Sequence, residues 1–171
     1  PLLAGAKGAS MSTPARVQRL IYDERAFERR DEGNDADFYA TDRMVAHLDA
    51  EALSAVSEIV ESLIVEDRPE VLDLMASWES HLGGVTPGRL VGLGLNRNEL
   101  DANRALDERV VHDLNRDPVL PFGDASFDVV LNTVSVDYLT RPFEVVAEAA
   151  RVLRPGGLLL VLFSNRFFPE K

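Results

Sequence analysis

Apolar positions follow two different periods along the chain, and the change comes near residue 70. Before it the spacing is helical. Thr41 can cap a short helix bearing Met44, Val45 and Leu48, and Asp49 can cap a second in which Leu53, Val56, Ile59, Val60 and Leu63 share a face. Pro69 breaks that pattern. After it come short apolar runs of strand length: Val71–Leu74, Arg89–Leu95, Arg109–His112, Phe127–Thr133 and Leu158–Phe163. The intervening stretches read as helix or loop. Trp78–Leu82 predicts a turn or two of helix. Asn96 followed by Glu99 is a capping box that predicts a helix through Leu106. Residues 115–126 predict a long loop. Pro142 suits the first turn of a helix burying Val146, Ala149 and Leu153, with Gly156 and Gly157 as its stop.

Five strands joined by helices and long loops predict an α/β fold, a three-layer sandwich in which a mainly parallel sheet carries helices on both faces. The unbroken apolar run Leu158–Phe163 fits a strand buried on both sides. The chain divides into a charged N-terminal arm (11–37), a helical cap (38–66) and a core (67–171). Residues 1–10, PLLAGAKGAS, are expected to be a leader foreign to the natural chain, with Met11 as its start. The arm is so dense in charge between Asp23 and Glu32 that it reads either as disorder or as one helix carrying Val17, Leu20, Ile21 and Phe27.

Charge and composition remove several functions. The 171 residues include no Cys, which excludes disulfides, thiolate metal sites and Cys nucleophiles, and fits a cytoplasmic setting. A formal net charge of −11 argues against a broad nucleic-acid surface. No run approaches the roughly 20 apolar residues of a membrane span. The three His residues lack H-x-x-x-H spacing, so no metal is expected, and no G-x-S-x-G elbow supports a hydrolase triad. Gly92 and Gly94 imitate part of a dinucleotide fingerprint, but on the second strand and without a third glycine.

Open parallel sheets bind ligands beyond the carboxyl ends of their strands. That rule alone nominates Asp73, Ala76, Ser77 and Trp78 after the first strand, and Gly92, Gly94 and Asn96 on the second. It adds Asp113 and Leu114 after the third, Asn132, Ser135, Asp137 and Tyr138 after the fourth, and Ser164, Asn165 and Arg166 after the fifth. Trp78 reads equally as a core plug or as a pocket wall. Arg43 and His47 stand four apart and read as a solvated pair, with a cofactor carboxylate as the other reading. Phe38 and Tyr39 read as packing anchors before lid residues.

The run Leu120-Pro-Phe-Gly-Asp-Ala-Ser-Phe-Asp128, continued by Val-Val-Leu, and the run Arg151-Val-Leu-Arg-Pro-Gly-Gly157 before an apolar strand together resemble the class I S-adenosylmethionine-dependent methyltransferases. Val71-Leu-Asp-Leu74 and Leu90-Val-Gly-Leu-Gly94 fall where that family has its first two strands. The resemblance covers about residues 71–165 and implies a Rossmann-like methyltransferase sheet with S-adenosylmethionine as cofactor. It implies that Asp73 faces the methionine end of the cofactor, that Asp113 takes the adenine amino group and that Leu114 offers its N–H to the ring. Asn132 would lie beside the sulfonium, with Asp137 and Tyr138 on the acceptor side as the candidates for any proton removal. The first loop would bring Ala76, Ser77 and Trp78 against the cofactor.

Two departures stand out. The family's first loop is Gly-rich, whereas Met75-Ala-Ser-Trp-Glu-Ser-His81 contains no Gly. Gly94 occupies the place of the usual ribose-binding acid, leaving Asn96 to meet the diol. The sheet is also expected to lack the family's C-terminal hairpin, which would leave the fifth strand as an apolar edge covered by a homodimer partner or another segment. The functional expectation is methyl transfer to a small-molecule acceptor, with no nucleic-acid or membrane partner. The alternative is a methyltransferase-like domain that binds or interacts without catalysis.

Overall fold

The structure, a computed structural model, describes residues 26–46 and 48–164. The expected leader and most of the arm, with Met11, Val17, Leu20 and Ile21, lie outside the described residues. So do His47, Asn165 and Arg166. The elements are α1 (Asp35–Phe38), α2 (Ala50–Leu63), β1 (Glu70–Leu74), β2 (Arg89–Gly94), α3 (Arg97–Ala102), β3 (Glu108–Val111), β4 (Phe127–Thr133), a 3-10 turn (Val136–Tyr138), α4 (Pro142–Val152) and β5 (Leu153–Leu162).

All strand pairs are parallel, in the order β3-β2-β1-β4-β5, so the chain reverses its direction of winding between β3 and β4. Such a reversal opens a crevice at the carboxyl edge, beside the central strand β1. Val71, Leu72, Leu90, Val91, Leu93, Val129, Val130 and Leu131 are fully buried, which is why these strands read as continuous apolar runs. Val60 and Ile64 in and after α2, with Leu100 of α3, cover the face bearing Val71, Leu90 and Val129. Val145, Ala149 and Val152 of α4 cover the other, with Leu72, Val91, Phe127 and Val130. Asp49 and Asn96 cap their helices as their sequence positions predict, each accepting from backbone N–H groups of the first turn.

Val146 of α4 is 43% exposed, with Val145 and Val152 turned to the core instead, and four further local expectations fail, each for a visible reason. Residues 41–46 form no helix and run instead as a strap held against α3 and its cap. Asn96 Nδ2 donates to the Tyr39 carbonyl at 3.0 Å and to Asp42 Oδ1 at 2.8 Å, and the Arg43 N–H donates to Glu99 Oε1 at 2.7 Å. Trp78–Leu82 likewise forms no helix, since Ser77 and Ser80 are tied sideways to Glu99 and Asp73. Helix α3 ends at Ala102, where Asn103 caps it and turns its own side chain to Ser80. Strand β5 begins at Leu153 rather than Leu158. Leu153 already pairs with Phe127, and an irregularity follows before Leu158 pairs with Val129. At its exposed turn Gly156 takes a φ of 88°, a conformation other residues adopt only with strain.

Candidate functional site

A cavity of about 500 Å3 opens at the carboxyl edge, within the usual range for small-molecule sites. Its walls are the loop after β1, the ends of β2 and β4, the loop after β3, the first turn of α3 and a strap formed by residues 38–46.

The loop after β1 is the most constrained part. Met75 has a φ of 63°, so a left-handed residue stands here without being glycine. The Ala76 N–H donates to the Leu93 carbonyl at 2.8 Å, which draws the loop across the end of β2. The crossing is so close that a Cβ on Gly94 would lie 2.1 Å from the Ala76 carbonyl oxygen. The two sequence departures are therefore one. The loop keeps its side chains because β2 gave up one beneath it, and no acid fits at Gly94.

Asp73 points from β1 under this loop and is 5% exposed. Ser80 donates to its Oδ2 at 2.5 Å. Burial outweighs that bond and pushes its carboxyl from 3.8 up to about 7. Ser77 donates to Glu99 Oε2, and Asn103 Nδ2 donates to the Ser77 carbonyl and to Ser80 Oγ. Asp113 does two things. Its Oδ1 caps the local turn, accepting from the Asn115 and Arg116 N–H groups, while Oδ2 faces no donor among the described residues.

The nominated residues divide plainly. Asp73, Ala76, Ser77, Trp78, Gly94, Asn96, Asp113, Leu114, Ser135 and Tyr138 line the cavity. Trp78 is half-buried there, its Nε1 donating to the Val45 carbonyl at 3.4 Å, and so is a wall and not a core plug. Asp137 is exposed outside the lining, and Asn132 lies beneath it, donating to the Leu74 carbonyl and Ser135 Oγ. Asn96 reaches the cavity, but its amide is saturated: two acceptors for Nδ2, two N–H donors on Oδ1. Arg43 is half-buried in the strap and lines the cavity; His47, the other half of the expected pair, lies outside the described residues.

Sequence reasoning missed Asp35, Glu99, Asn115 and Thr133 as lining residues. For Glu99 the signal was present: the third helical residue after Asn96 sits on the turn that meets the carboxyl edge. For Asp35 there was none, because its place depends on a buried ion pair with Arg29 and a bond from Asn115 Nδ2 at 2.7 Å. Tyr39 stands beside this pair. Burial, then Tyr138 and Asp35, raise its phenol well above the ordinary value, so it remains a donor. At the end of β4, Thr133 Oγ1 and Asn132 Oδ1 are buried without a partner among the described residues, and Val134 follows with a φ of 48°. No group of three or more His, Asp and Glu among the described residues is arranged to hold a metal ion.

A parallel sheet whose switch point opens into a polar-rimmed cavity defines an open α/β domain with its cavity where such sheets bind ligands. Comparison narrows that class. Residues 74–161 match the family model described as a methyltransferase domain. Methyltransferase GfsG of Streptomyces halstedii is 34% identical over 125 residues, covering 66% of this chain and 44% of that protein. The ubiquinone/menaquinone biosynthesis C-methyltransferase UbiE of Roseobacter denitrificans is 54% identical over 43 residues, 25% of this chain and 17% of that one. The matches thus span less than half of these relatives' own lengths. Among solved structures, phosphoethanolamine N-methyltransferase 1 of Haemonchus contortus, in complex with phosphoethanolamine and S-adenosylhomocysteine, shares the fold at a TM-score of 0.53 and 21% identity, over 65% of this chain and 26% of that one.

The chain belongs to the class I S-adenosylmethionine-dependent methyltransferases. S-adenosylmethionine is the cofactor that goes with this family. The residues present fit such a group: carboxylates line the cavity at the end of β1 and in the loop after β3, and Asp113 Oδ2 there has no donor among the described residues.

Proposed function

We propose that this domain transfers the methyl group of S-adenosylmethionine to a small-molecule acceptor. The observation that carries the reading is the cavity at the switch point, lined by Asp73 of β1 and by Asp113 of the loop after β3. When bound, the cofactor would supply an electrophilic methyl on a sulfonium; the protein's part is orientation and water exclusion. Asp73 would hold the ammonium of the amino-acid end. The free Oδ2 of Asp113 would accept from the adenine amino group beside Leu114. Ala76, Ser77 and Trp78 would form the wall, with Gly94 admitting their backbone. Asn96 has no free bond for the ribose diol, so that role passes to Glu99, whose oxygens each accept only one donor. Tyr138, with the protonated Tyr39 phenol across from it, would hold the acceptor atom; Asp137 stands outside the cavity and keeps at most a rim role.

Five carboxylates line the cavity, which favours a small acceptor over a polyanion such as nucleic acid. No described helix is long and apolar enough to cross a membrane. Pairing of two copies along β5, the last strand of the sheet, belongs to the same proposal, and a concentration-independent monomer in sedimentation would remove it.

Calorimetric titration with S-adenosylhomocysteine at pH 8 tests the core of this reading. Saturable binding should be accompanied by a thermal shift, about 2.7 kcal/mol of added stability at a hundredfold excess over Kd. A flat titration of folded protein would leave an interaction module without cofactor.

A further inference from the structure

We propose that the acceptor is a neutral aromatic nitrogen base, an arylamine or a nitrogen heteroaromatic, methylated on that nitrogen. This rests on the methyl-transfer reading above and names its substrate class. One side of the cavity is formed by α1, its cap and the turn after β4, and carries Asp35, Phe38, Tyr39, Tyr138 and Leu139. The acid on this side is engaged. Asp35 is 4% exposed, pairs with Arg29 at 2.9 Å and accepts from Asn115 Nδ2 at 2.7 Å. Arg29 and Asn115 also donate to the Tyr138 carbonyl, at 3.4 and 2.9 Å, which joins α1 to the turn. Tyr39 is placed as firmly. Its N–H donates to the Asp35 carbonyl at 2.9 Å, its own carbonyl accepts from Asn96, and its ring meets Phe38 edge to face at 5.0 Å. Its hydroxyl makes no hydrogen bond among the described residues.

Among the described residues this side offers no group to take a proton. Burial, then Tyr138 and Asp35, keep the Tyr39 phenol protonated, and Asp35 is spent on Arg29 and Asn115. Asp137 stands outside the lining. The lining histidines belong to other loops, His81 after β1 and His112 after β3, the sides assigned to the cofactor. A hydroxyl acceptor must lose its proton as it attacks, and finds no base here. A neutral nitrogen needs none. Its lone pair forms the new N–C bond, the C–S bond breaks, and the pair from that bond stays on sulfur as a neutral thioether. The positive charge thereby moves from sulfur to nitrogen. An arylamine then gives up one N–H proton to water after release, whereas a heteroaromatic nitrogen keeps the charge.

The walls suit that product. Five carboxylates line the cavity against the single guanidinium of Arg43 among the described residues, so positive charge arriving on the acceptor is favoured. Phe38, Tyr39, Trp78 and Tyr138 give aromatic surface for a flat ring and for its cation. The Phe38 ring already carries one cation, the Arg43 guanidinium 4.3 Å from its centre. The unengaged Tyr39 oxygen can accept an arylamine N–H.

N-methylpyridinium is what such a reaction makes from pyridine, and toluene is its uncharged isostere. Both are titrated calorimetrically at pH 8 into protein saturated with S-adenosylhomocysteine. N-methylpyridinium should bind about tenfold tighter than toluene, the scale of a desolvated cation–π contact. Tyr39→Leu should bring the two within about twofold, and Tyr39→Phe, which keeps the ring, should preserve the preference. Matching thermal midpoints check the folding of both variants. Equal affinities in the wild type, tighter binding of toluene, or binding of neither would overturn the inference and leave the cofactor reading intact. So would a preference that survives Tyr39→Leu. Anisole formed ahead of N-methylpyridinium, from an equimolar mixture of phenol and pyridine with S-adenosylmethionine, would overturn it as well. Should Tyr39→Leu fail to fold, the wild-type titrations and that competition decide alone. If S-adenosylhomocysteine itself does not bind, the cofactor reading fails and takes this inference with it.

Discussion

The two loops that bound the cavity, after β1 and after β4, begin alike and end differently. Each leaves its strand through a left-handed residue that is not glycine, Met75 at 63° and Val134 at 48°. Beyond that point the first loop is saturated. Ser77, Ser80, Asp73, Glu99 and Asn103 form one continuous hydrogen-bonded set. The last two residues of β4, just before the second loop, leave Asn132 Oδ1 and Thr133 Oγ1 buried and unsatisfied among the described residues, although buried polar groups are nearly always paired. The contrast indicates a division of labour. One side is held together by its own side chains, and the other keeps two buried groups unmatched among the described residues.

The largest expected effect comes from breaking the assembled side at its tightest point. Gly94→Ala puts a methyl against the Ala76 carbonyl, a backbone atom that cannot rotate away. Loss of about 3 kcal/mol is expected, the scale of severe overpacking, with the loop displaced from β2. Chemical denaturation measures it. A loss below about 1 kcal/mol would show that the loop moves freely and that its hydrogen-bonded set does not hold it.

Asp73→Asn should sharpen the same side by setting stability against binding. In the folded chain Asp73 keeps its proton up to about pH 7, whereas the unfolded chain releases it near 3.8. Between those values the folded state holds the extra proton, so this group's contribution to stability falls as pH rises and is fully unfavourable above 7. The amide does not titrate and can still accept from Ser80. The variant should match the wild type near pH 3.5 and exceed it at pH 8 by on the order of 2 kcal/mol. Its affinity for S-adenosylhomocysteine should drop by about tenfold or more. Wild-type affinity should itself weaken as pH falls from 8 to 6, because the ammonium needs an ionised partner. A pH-independent affinity would remove Asp73 from the amino-acid end.

How much of this the sequence disclosed follows from how local each signal is. The two motifs that carry the family resemblance are physically one structure. Arg151 pairs with Asp124 at 2.8 Å, which pins the loop before β4 to α4, and Arg154 pairs with Asp128 at 2.7 Å, which joins the start of β5 to β4. Their joint spacing was legible because the fold needs both ends of each pair. The five strands were legible because burial on two faces demands unbroken apolar runs. The strap was not. Thr41, Met44 and Leu48 have helical spacing, but helix propensity yields to the tertiary bonds that hold Asp42 and Arg43 against Asn96 and Glu99. Gly94 looked like a lost acid. Only the path of the loop above it shows that a side chain has no room there.

The smallest expected effect tests the unfinished side. Thr133→Val replaces the orphaned hydroxyl by a methyl of nearly the same shape, so the free protein is relieved of a buried group without a partner. A gain of about 1 kcal/mol is expected in denaturant, opposite in sign to a typical core substitution. With S-adenosylhomocysteine present the gain should shrink or reverse, because the hydroxyl then has something to bond. The difference between the two melting shifts isolates the ligand's contribution from the fold's. If the Thr133→Val variant were less stable than the wild type without ligand, or if ligand left the gain unchanged, the end of β4 would be as complete as the end of β1, and the contrast between the two loops would dissolve.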